Sequence, residues 1–139
     1  NRTFSFFSGV EFNVDVQQGL GGVCDFLISR SPEQWYVSAP VMVLVEAKNG
    51  RIMPGIPQCI AAMIAAQQFN QQRGNSVQPI YGVVSTGSLW HFLKLSEQAV
   101  WIDLDEYYLR DLGKIFAILT VMVGEGAPEM QDSAAPVLQ

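Results

Sequence analysis

Histidine and cysteine are scarce in this sequence of 139 residues, and their scarcity excludes several classes of protein. With His91 as the only histidine and no nucleophile-elbow motif around the serines before it, the chain does not resemble a serine hydrolase. Cys24 and Cys59 are too few and too isolated for a disulfide framework or a zinc site. We expect both cysteines to be small buried core residues of a protein in a reducing, cytoplasmic setting.

Positive charge and long hydrophobic runs are also lacking. Eight lysines and arginines stand against 13 acidic residues, which gives a net charge of −5 and no electrostatic footprint of the kind that nucleic-acid-binding proteins usually carry. No apolar run is long enough to span a bilayer, and no basic segment is followed by the apolar segment typical of a signal peptide, so we expect no association with a membrane. Residues 1–124 have the length and composition of a single globular domain, and residues 125–139 have the composition of a disordered C-terminal tail.

Hydrophobic periodicity predicts alternating groups of strands and helices. The predicted helices are residues 58–73, which end before Gly74, and a last helix that Asp105 caps and whose apolar positions include Leu112, Ile115 and Phe116. Strands are predicted in these segments: FSFFSG with VEFNVDVQ, VCDFLIS, VMVLVEAKN, PIYGVVS, LWHFLKL and AVWIDL. The order of three strands, a helix, up to three strands and a helix indicates an α/β protein.

Two of these segments are apolar on more than one side. The strand VMVLVEAKN, from Val41 to Asn49, has apolar residues on both faces, which is typical of a central strand covered by helices. The last helix is apolar nearly all round from Ala117 to Val123. Such a helix has a second face to bury, and a contact between two copies of the chain would bury it.

Ionisable residues interrupt the apolar strands at two places. Glu46 and Lys48 are two residues apart, so a strand would carry both side chains on one face, and Asp25 lies among apolar residues of an earlier strand. If the two strands are neighbours, the three groups converge, and the carboxylates repel each other unless a cation joins them. Mg²⁺ would satisfy two carboxylates, and the lysine could position an attacking water. The alternative is a salt bridge at the end of a strand, because an E-x-K triplet alone is common.

The pattern of these residues resembles the PD-(D/E)XK nuclease superfamily. The matching segments are G-V-C-D (Gly22–Asp25), E-A-K (Glu46–Lys48) and Gln58 at the start of the following helix. The resemblance extends over roughly residues 10–104. It implies a restriction endonuclease-like fold, a three-layer α/β/α arrangement with a central mixed sheet.

The same resemblance implies a role for each matching residue. Asp25 and Glu46 would bind Mg²⁺, for which Mn²⁺ can substitute, with the backbone carbonyl of Ala47 as a third ligand. Lys48 would position or activate the water, and Gln58 would orient the site or contact a phosphate of the DNA. The catalytic set is therefore Asp25, Glu46, Lys48 and Gln58.

The chain departs from the family pattern at two points. Cys24 stands where many members have proline. Many members also carry a glutamate on a helix before the first strand, and the nearest acid here, Glu11, lies in a predicted strand with an outward face. Either such a helix lies upstream of Asn1, or the site is incomplete.

Two functions are consistent with this pattern. The first is a Mg²⁺-dependent nuclease that hydrolyses DNA phosphodiester bonds. The second is a nuclease-fold protein with weak or no catalysis that serves as an assembly or regulatory module. Under the first, Arg51, Arg73 and Lys94 could contact phosphates, or they could be solvated surface charges.

Overall fold

The fold is built on one mixed β-sheet. The structure is a computed structural model that describes residues 4–15, 20–30, 36–75 and 77–125. Seven strands of these ranges form the sheet in the order β1-β2-β3-β4-β5-β6, with β7 beside β5. The strands are β1 Ser5–Asp15, β2 Leu20–Ser29, β3 Pro40–Glu46, β4 Ile80–Ser85, β5 Leu89–Ser96, β6 Ala99–Ile102 and β7 Tyr107–Tyr108.

Two α-helices accompany the strands in the described ranges. Helix α1, Gly55–Gln72, connects β3 to β4, and these two strands are parallel, whereas β1, β2 and β3 pair in antiparallel fashion, as do β4, β5 and β6. A parallel pair requires a crossover connection of this kind. Helix α2 is Leu112–Glu125, so the predicted tail lies outside the described residues apart from Glu125. The prediction of an α/β protein with a mixed sheet is confirmed.

The core is divided between the two faces of the sheet. Along β4, Val84 packs in a cluster with Cys59 and Met63 of α1, and its neighbour Val83 packs in a second cluster with Ile115 of α2. Because successive side chains of a strand point to opposite faces, α1 lies against one face and α2 against the other. Strand β3 lies between β2 and β4 and is buried on both faces, as its apolar pattern predicts.

Both cysteines are fully buried in the α1 cluster, as predicted. Burial raises the pKa of the Cys24 thiol to about 12, and the negative charge of Asp25 adds to the effect. Burial raises the pKa of Cys59 as well. The nucleophilic form of cysteine is the thiolate, so neither side chain is poised for chemistry.

The start of the last helix differs from the prediction. Asp105 does not cap it, because Tyr107 and Tyr108 pair with Trp90 and Leu89 of β5 and a 3₁₀ turn, Leu109–Asp111, precedes α2. The apolar pattern of the predicted helix does not reveal this pairing, because the pairing depends on a strand that is distant in sequence. In the described ranges, no helix combines the length and the apolar character needed to cross a membrane.

The segment before α2 is held by a buried carboxylate. Asp103 is 7% exposed; its Oδ1 accepts a hydrogen bond from the amide of Asp105 at 3.0 Å and its Oδ2 accepts one from the hydroxyl of Tyr107 at 2.8 Å. Partial burial raises the pKa of Tyr107 to about 12, helped by the hydrogen bond to Asp103 and by the charges of Asp103 and Asp105.

We expect Tyr107→Phe to lower the free energy of unfolding by about 1–3 kcal/mol at neutral pH, because Asp103 loses a donor while it remains buried. Tyr107 has a higher pKa in the folded protein than in the unfolded chain. Its neutral form therefore stabilises the fold fully below about pH 10, and this contribution is lost as the pH rises through about 12. Urea denaturation at pH 7 and pH 11 measures both effects.

The matched control is Tyr108→Phe. Tyr108 is 41% exposed and donates to Oε2 of the exposed Glu106 at 2.8 Å. Loss of this exposed hydroxyl should leave the midpoint of urea denaturation unchanged. Equal effects of the two substitutions would show that burial of Asp103 does not determine the strength of the Tyr107 contact.

Candidate active site

The predicted site residues lie at the carboxyl end of the central strand β3. The strand is buried up to Val45 apart from the half-buried Leu44, and Glu46 is its first exposed residue. The amide of Ala47 donates to the carbonyl oxygen of Ser85, at the end of β4, at 2.7 Å. Beyond that bond the chain leaves the sheet, so Glu46 lies at the end of a central strand.

Lys48 lies in a tight turn and not on the strand. It begins the 3₁₀ turn Lys48–Gly50, in which Asn49 has a positive φ of 57°, a conformation that asparagine tolerates better than most residues. The strand alternation that predicted Glu46 and Lys48 on one face therefore does not apply, because the strand ends at Glu46. The turn nevertheless carries Lys48 to the same cleft as Glu46.

That cleft, which we call the catalytic cleft after the predicted catalytic residues that line it, has a volume of about 470 Å³. It lies between the end of β3, the following turn and the first turn of α1. Three of the four predicted catalytic residues line it, and its wall consists of Glu46, Lys48, Asn49, Arg51, Pro54, Gly55 and Gln58. An acidic residue, a basic residue and a residue with a side-chain amide therefore line one cleft.

Gln58 reaches the cleft because α1 begins very close to the sheet. A Cβ atom added at Gly55 would lie 2.7 Å from Cγ1 of Val84, so only glycine allows this approach. Gln58 follows three residues later, almost one helical turn on, and lines the cleft. The positive end of the α1 dipole is at this end of the helix, which favours an anionic ligand beside it.

Asp25 approaches the cleft from the neighbouring strand. Its Oδ2 accepts a hydrogen bond from the backbone amide of Glu46 at 2.6 Å. The pairing of β2 with β3 runs as far as Phe26 opposite Leu44, so the Asp25 carboxylate takes over where the ladder ends. Strands β2 and β3 are neighbours, as the predicted convergence requires, although Asp25 is not part of the cleft wall among the described residues.

The contact between Asp25 and Glu46 has two consequences. It gives Asp25 a structural role, because the carboxylate satisfies a backbone donor that would lack a partner in the sheet. It also fixes the position of the Asp25 carboxylate at the base of the Glu46 side chain. A carboxylate has two oxygens, and the second can bind a cation while the first holds the amide.

The donor set suits a hard divalent cation. Asp25, Glu46 and the carbonyl of Ala47 would supply three oxygen ligands, and Mg²⁺ ordinarily keeps several waters in its coordination sphere. Within residues 4–15, 20–30, 36–75 and 77–125, no group of three or more histidine, cysteine, aspartate or glutamate side chains could hold a metal ion. The predicted set, with two acidic side chains, is smaller than such a group.

The three basic residues that could contact phosphates have different surroundings. Arg51 lines the catalytic cleft. The guanidinium of Arg73 lies 3.6 Å from the ring centre of Phe69, and the ammonium of Lys94 lies 5.6 Å from the ring centre of Trp101. Arg51 is therefore the basic residue, besides Lys48, that the structure brings to the site.

The sequence did not predict that residues of the second half of the chain lie close to the catalytic cleft. Leu89, His91 and Glu106 line a further cleft that also includes Arg51 and Pro54. The sequence signal for them was weak, because the three residues belong to segments about 40–60 positions beyond Glu46. Asn49 was missed as well, although its place between Lys48 and Gly50 is typical of a turn.

Comparison of the chain with protein-family models, with curated proteins and with solved structures finds no match.

Proposed function

We propose that this chain is a Mg²⁺-dependent nuclease of the PD-(D/E)XK type that hydrolyses DNA phosphodiester bonds, built on a restriction endonuclease-like three-layer fold. The observation that carries the proposal is the convergence of Glu46, Lys48 and Gln58 on one cleft, with the Asp25 carboxylate bonded to the backbone of Glu46. The mixed sheet with a helix against each face is consistent with that fold.

In this proposal each residue has a distinct task. Asp25, Glu46 and the Ala47 carbonyl would hold Mg²⁺, and the ion would supply positive charge beside the phosphate. Lys48 positions that water and favours its deprotonated form. Gln58 and Arg51 orient the phosphate at the end of α1. The charges of Mg²⁺, Lys48 and Arg51 would also offset the repulsion between DNA and a chain of net charge −5.

The surface of α2 favours a second candidate, an assembly or regulatory module of the same fold. Leu112 and Phe116 are 43% and 59% exposed, and their spacing of four residues places them on one face of the helix. This apolar face would be covered in a homodimer formed through α2. A dimer is compatible with both functions, so the cleavage assay decides between them.

The metal site is tested by replacing Asp25 with asparagine. The side-chain oxygen of asparagine can still accept the hydrogen bond from the Glu46 amide, so the fold should be retained while the charge is lost. We expect wild-type protein to bind one Mn²⁺, and Asp25→Asn to bind it at least roughly tenfold more weakly. Calorimetric titration with MnCl₂ measures both affinities.

Asp111→Asn is the matched control, because it removes the same charge at the start of α2. Asp111 is 45% exposed and lies near the guanidinium of Arg110. Its substitution should leave the affinity for Mn²⁺ unchanged. If Asp25→Asn binds Mn²⁺ as tightly as wild type, the Asp25 carboxylate serves only as a structural cap of β3, accepting the hydrogen bond from the Glu46 amide, and the proposed metal site is wrong.

A further inference from the structure

A second cleft, which we call the side cleft, adjoins the catalytic cleft. It has a volume of about 460 Å³ and shares Arg51 and Pro54 with the catalytic cleft, so the two spaces are neighbours. It lies between the segment that precedes α1 and strand β5. Ile52, Met53 and Leu89 give it an apolar wall.

Two ionisable groups define the polar end of the side cleft. The His91 side chain is 14% exposed, and its Nε2 lies 3.7 Å from Oε1 of Glu106. The other carboxylate oxygen of Glu106 accepts the hydroxyl of Tyr108 at 2.8 Å, which orients the carboxylate. A separation of 3.7 Å is too long for a hydrogen bond, so a ligand edge can bond to both His91 and Glu106.

This combination of surfaces matches a nucleobase. A base has flat, largely apolar faces and a polar edge, and the side cleft offers apolar walls that end in a fixed acceptor beside an imidazole. The Glu106 carboxylate can accept a hydrogen bond from an exocyclic amino group, as acidic side chains do with N4 of cytosine. A carbonyl oxygen at that place, as in uracil, would face the carboxylate and be repelled.

Arg51 connects the two spaces. It lines both clefts, so a phosphate beside it has the catalytic cleft on one side and the side cleft on the other. Guanidinium groups bind phosphate oxygens in pairs, which would fix the direction in which a nucleotide lies.

We propose that the side cleft binds the base of the nucleotide next to the phosphate in the catalytic cleft, and that Glu106, placed by Tyr108 and next to His91, selects a base that carries an exocyclic amino group. The position of that phosphate rests on the proposed nuclease function. Selection of the base does not, because it requires neither a metal nor cleavage.

The test is an NMR titration of the 139-residue chain, labelled with ¹⁵N, with dCMP and with dUMP in the absence of metal. These nucleotides present an amino group and a carbonyl, respectively, at one ring position. We expect dCMP to shift the amide resonances of Leu89 and His91 and to bind roughly tenfold more tightly than dUMP, because the mismatched edge leaves the carboxylate without its donor.

Three variants complete the experiment. Glu106→Gln should abolish the preference for dCMP, and Arg51→Ala should weaken the binding of both nucleotides. The matched control Glu97→Gln, in the turn after β5, should change neither the preference nor the affinities. Glu106 is 49% exposed, so its substitution should leave the fold intact, which the spectrum of the variant confirms directly.

Equal affinity for the two nucleotides, or a preference that survives Glu106→Gln, would overturn the proposal. Absence of shifts around the side cleft would overturn it as well. These failures leave the Mn²⁺ affinity of wild type and Asp25→Asn unaffected, so they are distinguishable from failure of the nuclease proposal. Selective dCMP binding in a protein that does not bind Mn²⁺ would support the proposed base selection and contradict the proposed nuclease function.

Discussion

Lys48→Ala is expected to slow Mn²⁺-dependent cleavage of plasmid DNA by about 100-fold or more, the usual cost of removing a group that assists proton transfer. The reason is the position of Lys48, which lines the catalytic cleft with Glu46 and Gln58 but contributes no oxygen to a metal. Its ammonium group is suited to hold the attacking water. We therefore expect Mn²⁺ affinity to be retained, so that the loss is confined to the chemical step.

The matched control is Lys114→Ala, which removes an exposed lysine from α2 and should leave cleavage unchanged. Lys48→Arg keeps the charge but replaces a compact ammonium with a larger, planar guanidinium that cannot hold the water at the same position, so it should rescue little activity. Cleavage that is unaffected by Lys48→Ala would exclude the role assigned to this lysine. A wild-type protein that binds Mn²⁺ and leaves plasmid intact would favour the assembly module.

Gly82→Ala is expected to lower the free energy of unfolding by about 1–3 kcal/mol, the cost of overpacking a filled core. Gly82 is in the middle of β4, where α1 rests on the sheet. A Cβ atom there would collide with Sδ of Met63 and lie 2.7 Å from Sγ of Cys59. Both residues are fully buried, so relief requires α1 to move away from β4.

Such a movement would also reach the catalytic cleft, because the first turn of α1 carries Gln58. Urea denaturation measures the loss of stability. Gly113→Ala is the matched control: no atom lies within 4 Å of its added Cβ, and alanine in a helix should stabilise by up to about 1 kcal/mol. Equal stability of Gly82→Ala and wild type would show that the contact between α1 and β4 is less tightly packed than the structure indicates.

The sheet could be predicted from the sequence because its strands have local signals. The segments PIYGVVS and LWHFLKL were predicted as strands and form β4 and β5, and the doubly apolar pattern placed β3 in the centre. The helices were less accessible. Helix α1 begins at Gly55, three residues before the predicted start, and α2 begins at Leu112 because residues 107 and 108 pair with β5. The start of α2 depends on pairing between segments that are distant in sequence, and local helix propensity does not predict such pairing.

The candidate site shows the same division between local and distant information. Glu46 and Lys48 could be recognised from their place at the end of an apolar strand, but the cause of their convergence is a turn, not the strand alternation. The hydrogen bond from the Glu46 amide to Asp25 could not be predicted, because it depends on the register between β2 and β3. The side cleft joins residues 51–54 to Leu89, His91 and Glu106, which only the folded chain brings together.

The most direct test of the proposed metal site is the position of Mn²⁺ in a crystal of the wild-type protein, measured by its anomalous scattering. The proposal predicts one peak within about 2.0–2.4 Å of oxygens from Asp25, Glu46 and the Ala47 carbonyl, with the Lys48 ammonium beside a bound water. A peak elsewhere would contradict the account. So would an empty site in which the Asp25 and Glu46 carboxylates point apart, because only the structural cap of β3 would then remain.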